Sequence, residues 1–171
     1  FCFAQQGQAR RFDAARIASI PNGVDLTPYA APPPISRAEA GLPEAAVVLM
    51  YTGRLSPEKN LVFLLRAFFG VAAACPDVVL ALVGEGGEME TLRAVAAQSG
   101  FSERVHFLGR VAYAQVPAYL QLADVFVTAS QTEVHPFSLI EALASGVPAL
   151  GITSPGIGDT IVDGENGLLR S

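Results

Sequence analysis

From Ala46 onward, short β-branched runs alternate with stretches of helical periodicity, and that alternation leaves few folds open. Strands are expected at Ala46–Thr52, Val78–Val83, Arg104–Leu108, Val125–Thr128 and Val147–Gly151, with a sixth at Gly167–Arg170. Helices are expected between them, at Asn60–Ala74, Glu88–Ser99, Ala114–Leu122 and Pro136–Ala144. In the first helix Leu61, Leu64, Leu65 and Phe68 recur at helical spacing behind Asn60 as N-cap. A repeated strand-helix order implies an α/β fold, a doubly wound, Rossmann-like parallel sheet of about six strands with right-handed crossovers.

Composition narrows the partners. The chain has 171 residues, 51% of them hydrophobic, enough for one sizeable core with strands covered on both faces. Its net charge is −5 and its basic residues are scattered, which excludes the clustered footprint of a nucleic-acid binder. Cys2 and Cys75 are too few for a disulfide framework, so a reducing, cytoplasmic setting is expected, with Cys75 buried as a small hydrophobe. No apolar stretch approaches the roughly 18 residues of a membrane span. The chain starts at Phe1 without a Met, so any targeting segment is expected to lie outside it, and the sequence reads as a piece of something longer.

Residues 1–34 differ from the rest. Gln5, Gln6, Gln8, Arg10 and Arg11 make a polar, helix-compatible stretch, Ile17–Ile20 is apolar, Pro21-Asn22-Gly23 signals a turn, and Pro32-Pro33-Pro34 is a stiff spacer. The expected division is a connector with the tail of a preceding domain at 1–24, and a ligand-binding domain at 25–171.

In a doubly wound sheet, ligands bind outside the carboxyl ends of the strands, at the switch in strand order. The unusual clusters fall at such ends: Gly53-Arg54, Gly84-Glu85-Gly86-Gly87, Gly109-Arg110 and Ser130–Pro136. Lys59 is the only lysine, and it shares the loop Gly53-Arg54-Leu55-Ser56-Pro57-Glu58-Lys59-Asn60 with an arginine. Arg54 supplies a planar fork of donors and Lys59 a compact charge, a combination suited to phosphate, while Gly53 permits close backbone approach. Without an anion, a cation at a helix start opposes the helix dipole.

Glu133 and Glu141 form a second constellation, on either side of Pro136, which suits the first helical position. Ser138, Glu141 and Ser145 draw one polar stripe along an otherwise apolar helix, so Glu141 needs a partner: a ligand, or an arginine in an ion pair. The rise from Pro136 to Glu141 is about 7 Å, which sets the carboxylates too far apart for a retaining-glycosidase dyad at ~5 Å. They suit two ends of one extended ligand, with a phosphate against the first-turn N–H groups near Phe137, Ser138 and Leu139.

Other chemistries lack their residues. Gly84-Glu85-Gly86-Gly87 has Met89 where the dinucleotide fingerprint needs glycine, and neither a P-loop nor a nucleophile elbow is present. His106 and His135 have no Cys or Asp at metal-ligand spacing, so no metal is expected. His106 is expected as a satisfied core residue and His135, beside Glu133, as a ligand contact. Asp163-Gly164-Glu165 followed by Asn166-Gly167 reads as a turn.

Together these residues resemble the group 1 retaining glycosyltransferases of GT-B fold. The 53–60 loop is similar to that family's Gly-Arg-Leu-x-x-x-Lys-Gly loop, and Glu133 with Glu141 matches its Glu-x7-Glu motif. Ile20–Asp25 resembles the segment entering the family's C-terminal domain, and Glu141–Pro148 and Asp163–Leu169 continue the likeness. Asn60, Ser138 and Asp159 depart from it, standing where glycine, glycine and glutamate are common; Ser138 narrows the pocket.

The resemblance implies the donor-binding half of a GT-B enzyme that moves a sugar from a nucleoside diphosphate to an acceptor. Arg54 and Lys59 would hold the diphosphate without metal or cofactor, Glu133 the sugar hydroxyls, and Glu141 the ribose. The backbone of Phe137, Ser138 and Leu139 would take phosphate or sugar, with Arg110 and Val111 near the base and His135 at the donor. It also implies an acceptor-binding N-terminal domain and a final cross-over helix outside this chain, an isolated fragment that transfers nothing, and membrane-surface contact through the other domain. A GT-B epimerase, a glycosyl phosphorylase or a non-catalytic nucleotide-binding module are the alternatives.

Overall fold

A computed structural model describes residues 20–170. The polar stretch at Gln5–Arg11, most of Ile17–Ile20, and Cys2 lie outside the described residues. Six parallel strands form one sheet in the order β3-β2-β1-β4-β5-β6. They are β1 Val47–Thr52, β2 Val78–Val83, β3 Val105–Gly109, β4 Val125–Thr128, β5 Ala149–Ile152 and β6 Gly167–Arg170. The helices are α1 Thr27–Ala30, α2 Leu61–Ala74, α3 Met89–Ala97, α4 Val116–Leu120 and α5 Phe137–Ala144. The expected α/β doubly wound sheet is the observed one.

Both faces of the sheet are covered, which is why β2 reads as an unbroken apolar run and is buried along its whole length. On one face Tyr51, Leu80, Leu82 and Val127 meet Leu61, Leu65 and Phe68 of α2 and Leu92 of α3. On the other, Met50, Phe126, Ala81 and Val83 meet Leu120 of α4 and Leu139 and Ala142 of α5. Tyr29 of α1 belongs to this second core, within the span expected for the ligand-binding domain.

Several local expectations change. Asn60 stands at the N-cap of α2, but its side chain caps nothing; it adopts a left-handed φ of 54° and its N–H closes a short 3-10 turn onto the Pro57 carbonyl. Asparagine tolerates that conformation, where the family's glycine would adopt it freely. Pro136 is the N-cap of α5 and the helix starts one residue later, at Phe137. Pro21-Asn22-Gly23 makes no turn and runs without regular structure, tied instead to a distant loop. Cys75 is exposed beyond the end of α2, because the helix stops at Ala74 and the chain turns outward toward β2. His106 is half-buried but not satisfied, since its Nε2 has no hydrogen-bond partner. Asp163–Gly167 does form the expected turn, closed by Gly164 N–H onto the Gly167 carbonyl at 2.9 Å.

Candidate functional site

The strand order reverses between β1 and β4, whose connections leave to opposite sides, and the crevice opens at their carboxyl ends. Main-chain bonds extend the ladder past the strand ends and hold the loops of β1, β2 and β3 together. Gly53 donates to Val83 O at 2.9 Å, Gly84 to Gly109 O at 2.8 Å and Leu55 to Glu85 O at 3.0 Å. This close stacking requires glycine. A Cβ on Gly84 would stand 1.9 Å from the Gly53 carbonyl oxygen, and Gly84 has a φ of 141°.

A cavity of about 300 Å³ opens over these loops. It brings together Gly53, Arg54, Arg110, Val111, Ser138 and Glu141, six of the residues expected at the site from sequence. Lys59 and Glu133 meet each other instead: Nζ donates to Oε1 at 2.5 Å, with side chains 21% and 14% exposed. That contact crosses the switch point, from the β1 loop to the β4 loop. It also supplies the anion that a cation at the start of α2 calls for. Arg54 remains exposed, 3.8 Å from Glu58, and Arg110 reaches Glu85 at 3.2 Å on the opposite lip.

Glu141 is buried on the cavity side of α5, and among the described residues it has no arginine partner. Its neighbours are tyrosines. Burial pushes the Tyr29 phenol well above its ordinary range, and the Glu141 charge pushes it further. The nearby Glu141 carboxylate raises Tyr113 as well, although Tyr113 is exposed at the cavity rim. Thus Glu133 and Glu141 face different surroundings, one a lysine and the other two phenols.

The first turn of α5 has no side-chain cap, and Ile140 is its first residue to donate backward, to Pro136 O at 3.2 Å. The N–H groups of Phe137, Ser138 and Leu139 are the free donors every helix start carries. The Leu139 side chain, however, is fully buried in the core, and that of Phe137 is 53% exposed. His135 does not line the cavity; its ring accepts from Asn22.

Sequence reasoning passed over Thr52, Tyr29, Tyr113 and Asn22. The hydroxyls of Thr52 and Ser130, at the carboxyl ends of β1 and β4, are buried without partners, so two polar orphans stand at the switch point. A hydroxyl closing an apolar strand is a faint signal. The tyrosines carried none, and Asn22 stood out only as part of a turn signal and a family-like segment, because their partners lie far along the chain.

A crevice at the switch of a doubly wound sheet is where such α/β domains bind ligands, and the family follows from comparison. The sequence profile of the glycosyl transferases group 1 matches residues 34–170, and the chain belongs to that family. It is similar to the GDP-mannose-dependent alpha-(1-6)-phosphatidylinositol monomannoside mannosyltransferase of Mycolicibacterium smegmatis, 34% identical over 91% of this chain and 43% of the relative. It is also similar to the alpha-monoglucosyldiacylglycerol synthase of Streptococcus pneumoniae, 29% identical over 88% of this chain and 35% of the relative. Among solved structures, Anabaena Alr3699/HepE in complex with UDP superimposes with a TM-score of 0.82 at 27% identity, covering 99% of this chain and 46% of that one. The chain therefore spans less than half the length of these relatives. Among the described residues, no helix is long and apolar enough to cross a membrane.

Proposed function

We propose that this chain is the donor-binding half of a retaining, metal-independent glycosyltransferase that moves a hexose from a nucleoside diphosphate to an acceptor held by a preceding domain. The Lys59–Glu133 contact carries the reading. In a nucleotide sugar the diphosphate and the sugar are adjacent, and here the residue suited to phosphate touches the residue suited to sugar hydroxyls.

The other residues extend that order along one ligand. Arg54 joins Lys59 on the diphosphate, and the α5 N–H groups of Phe137 to Leu139 face its oxygens. Glu141 takes the ribose hydroxyls, beside Tyr29 and Tyr113, and Arg110 with Val111 borders the base. As the glycosidic bond breaks, charge builds on the leaving diphosphate, and fixed cations lower that barrier without a metal. Glu133 and Glu141 make the Glu-x7-Glu pair of this mechanism. Ser138 sets the width of the pocket between ribose and phosphate. A lipid acceptor, as in the names of the two enzymes above, would place the whole enzyme on the cytoplasmic membrane surface, and the domain division stays at 1–24 and 25–171.

Titration calorimetry with UDP, GDP and ADP tests the reading. Lys59→Ala and Arg54→Ala are each expected to weaken the preferred nucleotide by about tenfold or more, the scale of a lost charge-assisted hydrogen bond, and binding is expected to survive EDTA. The reading fails if no nucleotide binds at millimolar concentration, or if both variants bind as the wild type does.

A further inference from the structure

Asn22 and His135 are 113 residues apart, yet two hydrogen bonds join them. The Asn22 main-chain N–H donates to His135 Nδ1 at 3.1 Å, and Asn22 Nδ2 donates to the His135 carbonyl at 3.1 Å. A main-chain N–H can only donate, so Nδ1 is the accepting nitrogen and the neutral ring carries its proton on Nε2. The carbonyl bond fixes the peptide that precedes Pro136, the residue from which α5 begins.

Support from outside matters here because the loop has little of its own. Among the described residues, no main-chain N–H from Gln131 to His135 donates within the chain. The loop is held instead from several sides. Lys59 grips the Glu133 carboxylate, Ser154 Oγ donates to Ser130 O at 2.9 Å, and Gly156 lies so close that a Cβ there would meet the Glu133 carbonyl oxygen at 2.4 Å. Asn22 is the hold at the α5 end.

We propose that Asn22 is a positioning residue for the donor site. It fixes His135 in its Nε2–H tautomer and keeps the Glu133 loop in register with Lys59, so that the segment leading into the domain sets donor affinity. The effect on affinity rests on the donor-site reading above; the tautomer and the order of the loop do not.

Nitrogen-15 NMR of the labelled chain separates the two. In the wild type, His135 Nδ1 is expected to resonate as an unprotonated nitrogen and Nε2 as a protonated one; a proton on Nδ1 overturns the proposal. Asn22→Ala is expected to lower the backbone order parameters of Glu133 to His135 from ~0.85 toward ~0.6 and to weaken UDP or GDP binding by about two- to tenfold. Asn22→Ala removes the bond from Nδ2 to the His135 carbonyl and leaves the main-chain N–H on Nδ1, so a positioning role confines the loss of order to the loop, whereas a merely structural role lowers order parameters across the sheet as well. Unchanged order parameters at Glu133 to His135, or a fall spread over the sheet, overturn the proposal. If the wild type binds no nucleotide, the donor reading fails, and the ring nitrogens and loop order still decide the role of Asn22.

Discussion

Lys59 and Glu133 stand next to each other because a β1 loop and a β4 loop share one end of the sheet, although 74 residues separate them. Each was marked in the sequence by its own context: a lone lysine near a strand end, and an acidic residue before a proline-started helix. Their partnership was not legible, since neither hydrophobic pattern nor turn chemistry records which side chains meet across a switch point. His106 shows the same limit. Its place in β3 was legible, while its unpartnered Nε2 came only from packing. Burial holds the His106 imidazole below its ordinary value of 6.5, against the opposing effects of Glu103 and the Gly41 backbone. The folded state thus binds fewer protons than the unfolded chain as pH falls from about 6.5 toward the lowered value, so stability declines through that window. Urea unfolding at pH 7.5 and 5.5 is expected to show this fall in the wild type and a shallower one in His106→Gln. An equal fall in both would remove His106 as its source.

At the scale of elements, the strands were the most legible part. β2 and β4 occupy the expected residues, because a β-branched run buried on both faces leaves little choice of period, and the half-exposed edge strand β6 does so too. Helix ends were less legible. α3 and α4 are both shorter than their patterns suggest, and Pro136 caps rather than enters α5. The loops that make the site depend on glycines whose reason is tertiary: Gly84 fits only because the β1 loop passes against it. Gly84→Ala is expected to cost about 3 kcal/mol or more and to weaken nucleotide binding with it. Gly87→Ala, where an added Cβ meets nothing within 4 Å, is the control and should leave the denaturation midpoint near that of the wild type. Similar midpoints for the two variants would show that the loops are free to separate.

Across the whole molecule, the two ends of the sheet carry different work. The carboxyl ends hold the candidate site, and the amino ends are closed by scattered arginines. Arg37 donates to Ala46 O at 2.7 Å, to Leu122 O at 2.9 Å and to Asp124 at 2.9 Å, while Asp124 accepts from Val48 N–H at 2.7 Å. Arg104 binds the carbonyls of Ala72 and Val78 in the same manner. This explains a basic complement that makes no patch. Arg37→Met should therefore lower unfolding free energy by on the order of 3 kcal/mol through the acceptors it leaves unpaired, with nucleotide affinity unchanged. Loss of affinity in a variant that is still folded at the assay temperature would show that the two ends are coupled.

The sequence by itself determined the order of strands and helices, the burial of both sheet faces and the loops that could carry chemistry. Those follow from local periodicity, β-branching and turn residues, which act within a few positions of the chain. Only the tertiary structure decided that Lys59 meets Glu133, that Glu141 faces tyrosines rather than an arginine, and that Pro21-Asn22-Gly23 reaches His135 instead of turning. Such contacts depend on strand order and on which loops share an end of the sheet, and hydrophobic pattern does not encode either.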